Sequence, residues 1–154
     1  MKDIINYKWF CISTFIFFAL IILLVLTMKF DKFGSTVVVA YGTVSKETVE
    51  VSLINLIATP EKYDGKLVRV VGVGNINFES NGLYLSKEDY KKCVTKNAVW
   101  LDIDEGKLST TYANLKQSNG KYILIEGVFD SKKMGHFDRY SGTVENITRY
   151  EFWK

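Results

Sequence analysis

The sequence predicts an N-terminal transmembrane helix carrying one small all-β or β-rich domain, on three observations. Trp9 to Met28 are 20 consecutive residues without a charge. Beyond them, short runs rich in Val, Ile, Tyr, Phe and Trp alternate with polar residues at a period of two, the pattern of half-buried strands. Asp64-Gly65, Asn81-Gly82 and Asn119-Gly120 punctuate those runs with residues that accept the left-handed backbone of turns. A chain of 154 residues holds one domain of ordinary size.

The apolar run contains four Leu, four Ile, four Phe and one Val. At roughly 0.3–0.6 kcal/mol each near the bilayer centre, these favour insertion by roughly 4–8 kcal/mol. Ser13, Thr14 and Thr27 offset little, because a helix lets hydroxyls bond back to its own carbonyls. At ~1.5 Å per residue the run spans ~30 Å, the thickness of the hydrocarbon core. A cleaved signal peptide fits worse: its apolar region is shorter and ends in small residues, whereas Lys29, Phe30, Asp31, Lys32 and Phe33 follow here. Residues 9–28 are therefore expected to remain as an anchor behind a short tail, 1–8. Lys2 and Lys8 precede the run and Lys29 and Lys32 follow it, a tie broken by the α-amino charge and the short tail. The expected topology is single-pass in the cell membrane, with the C-terminal domain on the extracytoplasmic (periplasmic or cell-surface) side. The lipid bilayer is the first expected partner, through residues 9–28, and a protein partner at the membrane the second.

Residues 29–48 read as a linker with a short strand over Val37 to Tyr41, and the globular domain is expected over 49–154. Ser52 caps a short helix with Leu53, Leu56 and Ile57 on one face, and Pro60 with Asp64-Gly65 ends it. Lys66 to Val73 is the first barrel strand, where Gly72 and Gly74 suggest a bulge or bend. Asn81-Gly82 predicts a hairpin, and Leu83 to Ser86 the returning strand. Ala98 to Ile103 sets Val99, Leu101 and Ile103 against Trp100 and Asp102. The long gap from Asp104 to Ser118 carries Leu108, Tyr112 and Leu115 at helical spacing. Lys121 to Phe129 points Ile123, Ile125 and Phe129 inward against Tyr122, Glu126 and Val128. A polar loop from Asp130 to Ser141 precedes a last strand, Gly142 to Phe152, whose alternation slips between Val144 and Ile147 as at a bulge. This is the order of a five-stranded OB-like barrel, with a helix between strands three and four and a short helix before strand one. A small antiparallel meander joined to a helix would give the same string.

The segments Pro60 to Lys66, Leu83 to Asp89, Gly135-His136-Phe137 and Ser141-Gly142 carry a resemblance over about Val51 to Trp153. The chain resembles an uncharacterised family of small bacterial exported or membrane-anchored OB-like domain proteins. The resemblance implies a compartment and a fold, and no activity, cofactor or substrate.

Outside the anchor and tail there are 18 basic and 16 acidic side chains, from the whole-chain totals of 20 and 17 less Lys2, Lys8 and Asp3. A net charge of +2 is not the footprint of a nucleic-acid binder, so nucleic acid is not an expected partner. Cys93 is the one cysteine beyond the membrane run, which excludes a disulfide within the domain. His136 is the one histidine, which excludes a His/Cys zinc site without several carboxylates. Phosphate-loop, G-x-S-x-G and H-E-x-x-H patterns are absent. Asp102, Asp104 and Glu105 run into Gly106 where a calcium loop needs a ligand. Asn146-Ile147-Thr148 matches a glycosylation triplet but falls within a predicted strand. No metal, cofactor or catalytic residue is expected.

The candidate ligand-binding residues are Tyr84, Trp100, Tyr122, His136 and Arg139. The three aromatics point outward by the strand phase, Tyr84 and Trp100 on the second and third strands that form the usual OB ligand face. Such rings stack on bases or sugars, although Asp102 and its acidic turn would repel phosphates. The competing expectation is that the 52–59 helix or the linker packs over them. His136 and Arg139 share a loop with Asp138 and Tyr140, as a ligand contact or acid–base group, or as residues that shape the turn before Gly142. The leading functional expectation is a non-catalytic, membrane-tethered extracytoplasmic binding or interaction module. The alternatives are nucleic-acid or oligosaccharide binding through the OB face, and a hydrolase or metal enzyme around His136.

Overall fold

The structure is a computed structural model that describes residues 39–43, 45 and 47–153. The expected membrane span at 9–28, the tail and the linker up to residue 38 lie outside the described residues. Among the described residues no helix is long and apolar enough to cross a membrane.

The chain enters through two short strands, β1 (Ala40–Gly42) and β2 (Val49–Glu50). The Ser52 hydroxyl then accepts the Asn55 N–H at 3.2 Å and caps α1 (Leu53–Ala58), which buries Leu53 and Leu56. After a 3-10 turn at Pro60–Lys62, Gly65 takes φ +71 and turns the chain into β3 (Leu67–Asn75). Next come β4 (Gly82–Tyr84), α2 (Lys87–Lys92) and β5 (Ala98–Leu101). Two one-turn helices, α3 (Glu105–Leu108) and α4 (Tyr112–Leu115), lead to β6 (Tyr122–Asp130) and β7 (Thr143–Phe152).

Five of these strands close a mixed β-barrel in the order β3-β4-β5-β7-β6 and back to β3. The β3–β4, β4–β5, β6–β7 and β3–β6 joints are antiparallel. The β5–β7 joint is parallel, with Trp100 opposite Thr143 and Leu101 opposite Val144. The two extra strands lie outside this ring, β1 antiparallel on β7 and β2 parallel on β3. The interior holds Val70, Leu83, Val99, Leu101, Ile123, Ile125, Phe129 and Tyr150, which is the inward phase the alternation predicts. Leu56, Leu108 and Leu115 from the helices join the same cluster. Burial raises the Tyr150 pKa, and its hydroxyl meets that of Ser118, which donates to the Leu115 carbonyl at 2.7 Å.

Three local expectations are corrected. Of the bulge or bend suggested at Gly72 there is no bulge: β3 keeps an unbroken register with β6 from Leu67–Val128 to Val73–Tyr122, and passes from β6 to β4 at Val73. A Cβ there would lie 2.7 Å from Leu83 Cγ and 2.8 Å from the Tyr84 carbonyl oxygen, so glycine serves close approach across the wall. Asn81-Gly82 is not the hairpin turn, since Gly82 is already paired with Asn75 and Trp100. Asn81 instead uses its side chain, accepting the Asn77 N–H at 3.1 Å and donating to the Tyr112 hydroxyl at 3.0 Å. The helix expected before β6 is split at Ser109, whose φ is +52, because Asp104 and Thr111 each cap a separate turn. The slip in the last strand is a true bulge: Glu126 pairs Arg149 and Val128 pairs Glu145, four steps of β7 against two of β6. Asn146 takes φ +48 within it.

Replacing Leu101 or Ile125 by Ala should lower stability by about 2–5 kcal/mol in chemical denaturation, as for buried branched residues left with a cavity. Gly127 faces the bulge, where a Cβ would lie 2.7 Å from Val144 Cγ1 and 2.8 Å from the Glu145 carbonyl oxygen. Gly127→Ala is expected to destabilise by about 1–3 kcal/mol, the range for overpacking. A neutral result would mean that the bulge can relax away from β6.

Candidate functional site

The outer face of β4 and β5, where the sequence places Tyr84 and Trp100, is roofed over. Tyr84 is 1% exposed and packs with Val73, Ala98 and Tyr140 in a second apolar cluster outside the barrel interior. Tyr90 of α2 meets its ring edge-on at 6.0 Å between centroids, and Tyr140 does so at 6.5 Å. Gly82 leaves room for both, since a Cβ there would lie 2.9 Å from each of Tyr84 and Tyr140. Trp100 is half-buried: the His136 ring stacks over it at 6.2 Å and 23°, and Tyr140 meets it edge-on at 5.3 Å. The cover is therefore α2 and the loop between β6 and β7, rather than the 52–59 helix or the linker.

That loop is shaped by local hydrogen bonding. The Asp130 carboxylate accepts the Lys132 and Lys133 N–H groups at 2.8 and 3.1 Å, and the Thr143 hydroxyl donates to the Lys133 carbonyl at 2.8 Å. Gly135, at φ +64, lets the chain run over Trp100. Phe137 and Asp138 follow with φ +56 and +54, two successive left-handed non-glycine residues. Such a conformation persists only where its surroundings over-determine it. The Lys96 ammonium does so by donating to the Asp138 and Tyr140 carbonyls at 3.2 and 3.4 Å, and the Ser141 hydroxyl by donating to the Lys96 carbonyl at 2.7 Å.

Between this loop, the β3–β4 connection and the segment after α2 lies a cleft of about 490 Å³, lined by Tyr84, Lys96, His136, Arg139 and Tyr140 together with Asn75, Ser80 and Cys93. Three of the five sequence candidates, Tyr84, His136 and Arg139, thus meet at one cleft, and Trp100 stands behind His136. Tyr122 does not join them. It lies on β6, across the barrel, 40% exposed under the Lys87 ammonium at 5.8 Å. Burial raises the Tyr84 and Tyr140 pKa values, so both hydroxyls stay neutral near physiological pH. Lys96 and Arg139 are balanced on the cleft wall by Glu79 and Asp138. The Nε2 of His136 is buried without a hydrogen-bond partner among the described residues. Among those residues no group of three His, Cys, Asp or Glu side chains is placed to hold a metal ion.

A second surface lies on the outer face of β3, β6 and β7, where Glu126 is fully buried and not solvated as its outward phase suggests. Its carboxylate accepts from Arg69 Nε at 2.7 Å, Arg149 Nη1 at 3.0 Å and the Ser45 N–H at 3.2 Å, and Arg149 also pairs with Glu151. Beside this network runs a groove of about 640 Å³, lined by Val71, Leu85 and Leu124 with Ile54 and Trp153 at its rim. Sequence reasoning missed the network because Arg69, Glu126 and Arg149 become neighbours only through the strand register. The chain matches no known protein family, no curated protein and no solved structure.

Burial alone would raise the Glu126 pKa, but the hydrogen bonds from Ser45, Arg69 and Arg149 and the Arg69 charge outweigh it and hold the carboxyl below its ordinary 4.5. A depressed folded-state value contributes stability that is present above the unfolded value and lost as the pH falls through the folded one. Denaturation midpoints should therefore fall as the pH drops below about 4.5, and Glu126→Gln should flatten that acid limb. At neutral pH the same substitution should cost about 2–3 kcal/mol. That lies below the ~3–5 kcal/mol of a fully buried pair, because both arginines keep some solvent contact.

Proposed function

We infer that the chain is a single-pass, membrane-tethered binding module, non-catalytic, with its domain on the extracytoplasmic side. Two readings support the frame. The charge-free run at 9–28 has the length and composition of a span. The strand order, the parallel β5–β7 joint and the helical connection before β6 are consistent with an OB-like barrel.

The observation that carries the binding reading is the convergence of His136, Arg139 and Lys96 with the neutral hydroxyls of Tyr84 and Tyr140 at one cleft. A small polar ligand rich in hydroxyl or carboxyl groups would bond Arg139 and the tyrosines that line this cleft. Mixed charge on the wall favours such a molecule over a polyphosphate, and the roof over Tyr84 closes that ring to base stacking. Binding is preferred to hydrolysis because His136 has no carboxylate hydrogen-bonded to orient it among the described residues.

Titrating the protein with a panel of mono- and oligosaccharides and small carboxylates should give saturable shifts of the His136 imidazole resonances, and His136→Ala or Arg139→Ala should weaken that binding about tenfold or more, the ~1.4 kcal/mol or more of one lost charged hydrogen bond. Saturable binding unaffected by either substitution would move the site elsewhere. The full chain should stay with membranes through an alkaline wash, and a C-terminal reporter active only outside the cytoplasm should give signal. A soluble product beginning near Tyr41, or signal from the cytoplasmic reporter alone, would reverse the anchor or the topology respectively.

A further inference from the structure

We propose that the outer face of β6, with the adjoining end of β7, docks on the surface of an anionic bilayer, an inference that rests on the anchor reading above. Tyr122 and Trp153 stand side by side there, the Trp153 N–H donating to the Tyr122 carbonyl at 2.9 Å, and they are 40% and 50% exposed. Ile54, 59% exposed, adds an aliphatic side chain at the rim of the same groove. A contiguous apolar edge of this kind on a small domain marks an interaction surface. The Lys87 ammonium lies 5.8 Å over the Tyr122 ring. Amphipathic rings beside a lysine whose stem lies along apolar surface are the composition of a membrane–water interface. A lysine there meets lipid phosphates, and anionic lipid adds to the attraction.

Two further facts select a bilayer over a protein partner. The Phe152 N–H donates to the Val39 carbonyl at 3.0 Å, so the chain enters the domain beside this patch. Residues 29–38 separate Val39 from the expected span, and fully extended they reach roughly 36–40 Å at most. A tether of that length lets the patch reach the headgroups. The two arginines of the Glu126 network are neutralised by Glu126 and Glu151, so the patch's remaining charges are Glu50 on the groove wall and Lys87 over Tyr122. Because β4 and β5 lie on the other side of the ring from β6, docking by β6 turns the His136 cleft away from the bilayer.

The test uses the full chain with Trp9→Phe, reconstituted into phosphatidylcholine/phosphatidylglycerol nanodiscs with brominated acyl chains, so that Trp100 and Trp153 report. Docking predicts bromolipid quenching of one emission component, its loss in Trp153→Phe, and its weakening by salt and by Lys87→Glu. Unquenched Trp153 in protein that survives an alkaline wash overturns the docking and leaves the anchor standing, whether the patch is then solvated or covered by a second copy. If the wash releases the protein, the anchor reading fails, and the released protein is added to the same lipids as vesicles. Quenching there supports the patch on its own, and its absence overturns it.

Discussion

A five-stranded barrel closes only if one strand bends enough to serve two neighbours, and β3 does so. It gives Leu67 to Val73 to β6 and Val73 to Asn75 to β4, with Val73 shared between them. Curvature that tight brings side chains on one strand against the backbone of the next, and the chain answers by removing a side chain at the contact. Gly72 yields to Leu83, and Gly127 to Val144 and the bulge in β7. The last joint is the shortest. β5 and β7 share two residue pairs, continued at each end by the Trp100 N–H to the Gly142 carbonyl and the Asp102 N–H to the Val144 carbonyl, both at 2.9 Å. Everything outside the ring, including the roof over Tyr84 and the loop that carries His136, hangs on that closure.

Register within the ring is held by a charge as well as by shape. Side chains alternate along β6, so a slip by one residue would turn Glu126 into the barrel interior and expose Ile123, Ile125 and Phe129. Burying an unpaired carboxylate is prohibitive, whereas in the observed register the same carboxylate has three donors. The network ties together segments distant in sequence, Ser45 before the barrel, Arg69 on β3 and Arg149 on β7. Its net contribution to stability is modest, because desolvation offsets much of the attraction. Its larger effect is to disfavour the alternative pairings that a run of branched residues would otherwise tolerate.

Legibility in the sequence followed the range of the interactions. The inward phase of Leu83, Val99, Leu101, Ile123 and Ile125 was readable because burial on a strand is written at a period of two. The bulge near Asn146 was readable because it breaks that period. The role of Gly72 was not, since a bulge and a close approach call for the same residue. The helix over Lys87–Lys92 left no periodic trace because it buries no residue, and only its cap, with the Ser86 hydroxyl accepting the Asp89 N–H at 3.0 Å, marks it. Tyr84, His136 and Arg139 could each be singled out as chemistry-bearing side chains. Their meeting at one cleft depends on Tyr90 and Tyr140 folding over β4, contacts that no local pattern encodes.

The β1 strand has a mechanical consequence. Tension applied to the chain at Val39 is met first by the ladder of Ala40, Tyr41 and Gly42 against β7, and then by the Ser45 hydrogen bond to Glu126. Both lie outside the barrel ring. A pull from the N-terminal side therefore loads β1 before the β3–β6 or β5–β7 joints, so the three pairs of β1 on β7 stand between that pull and the barrel ring.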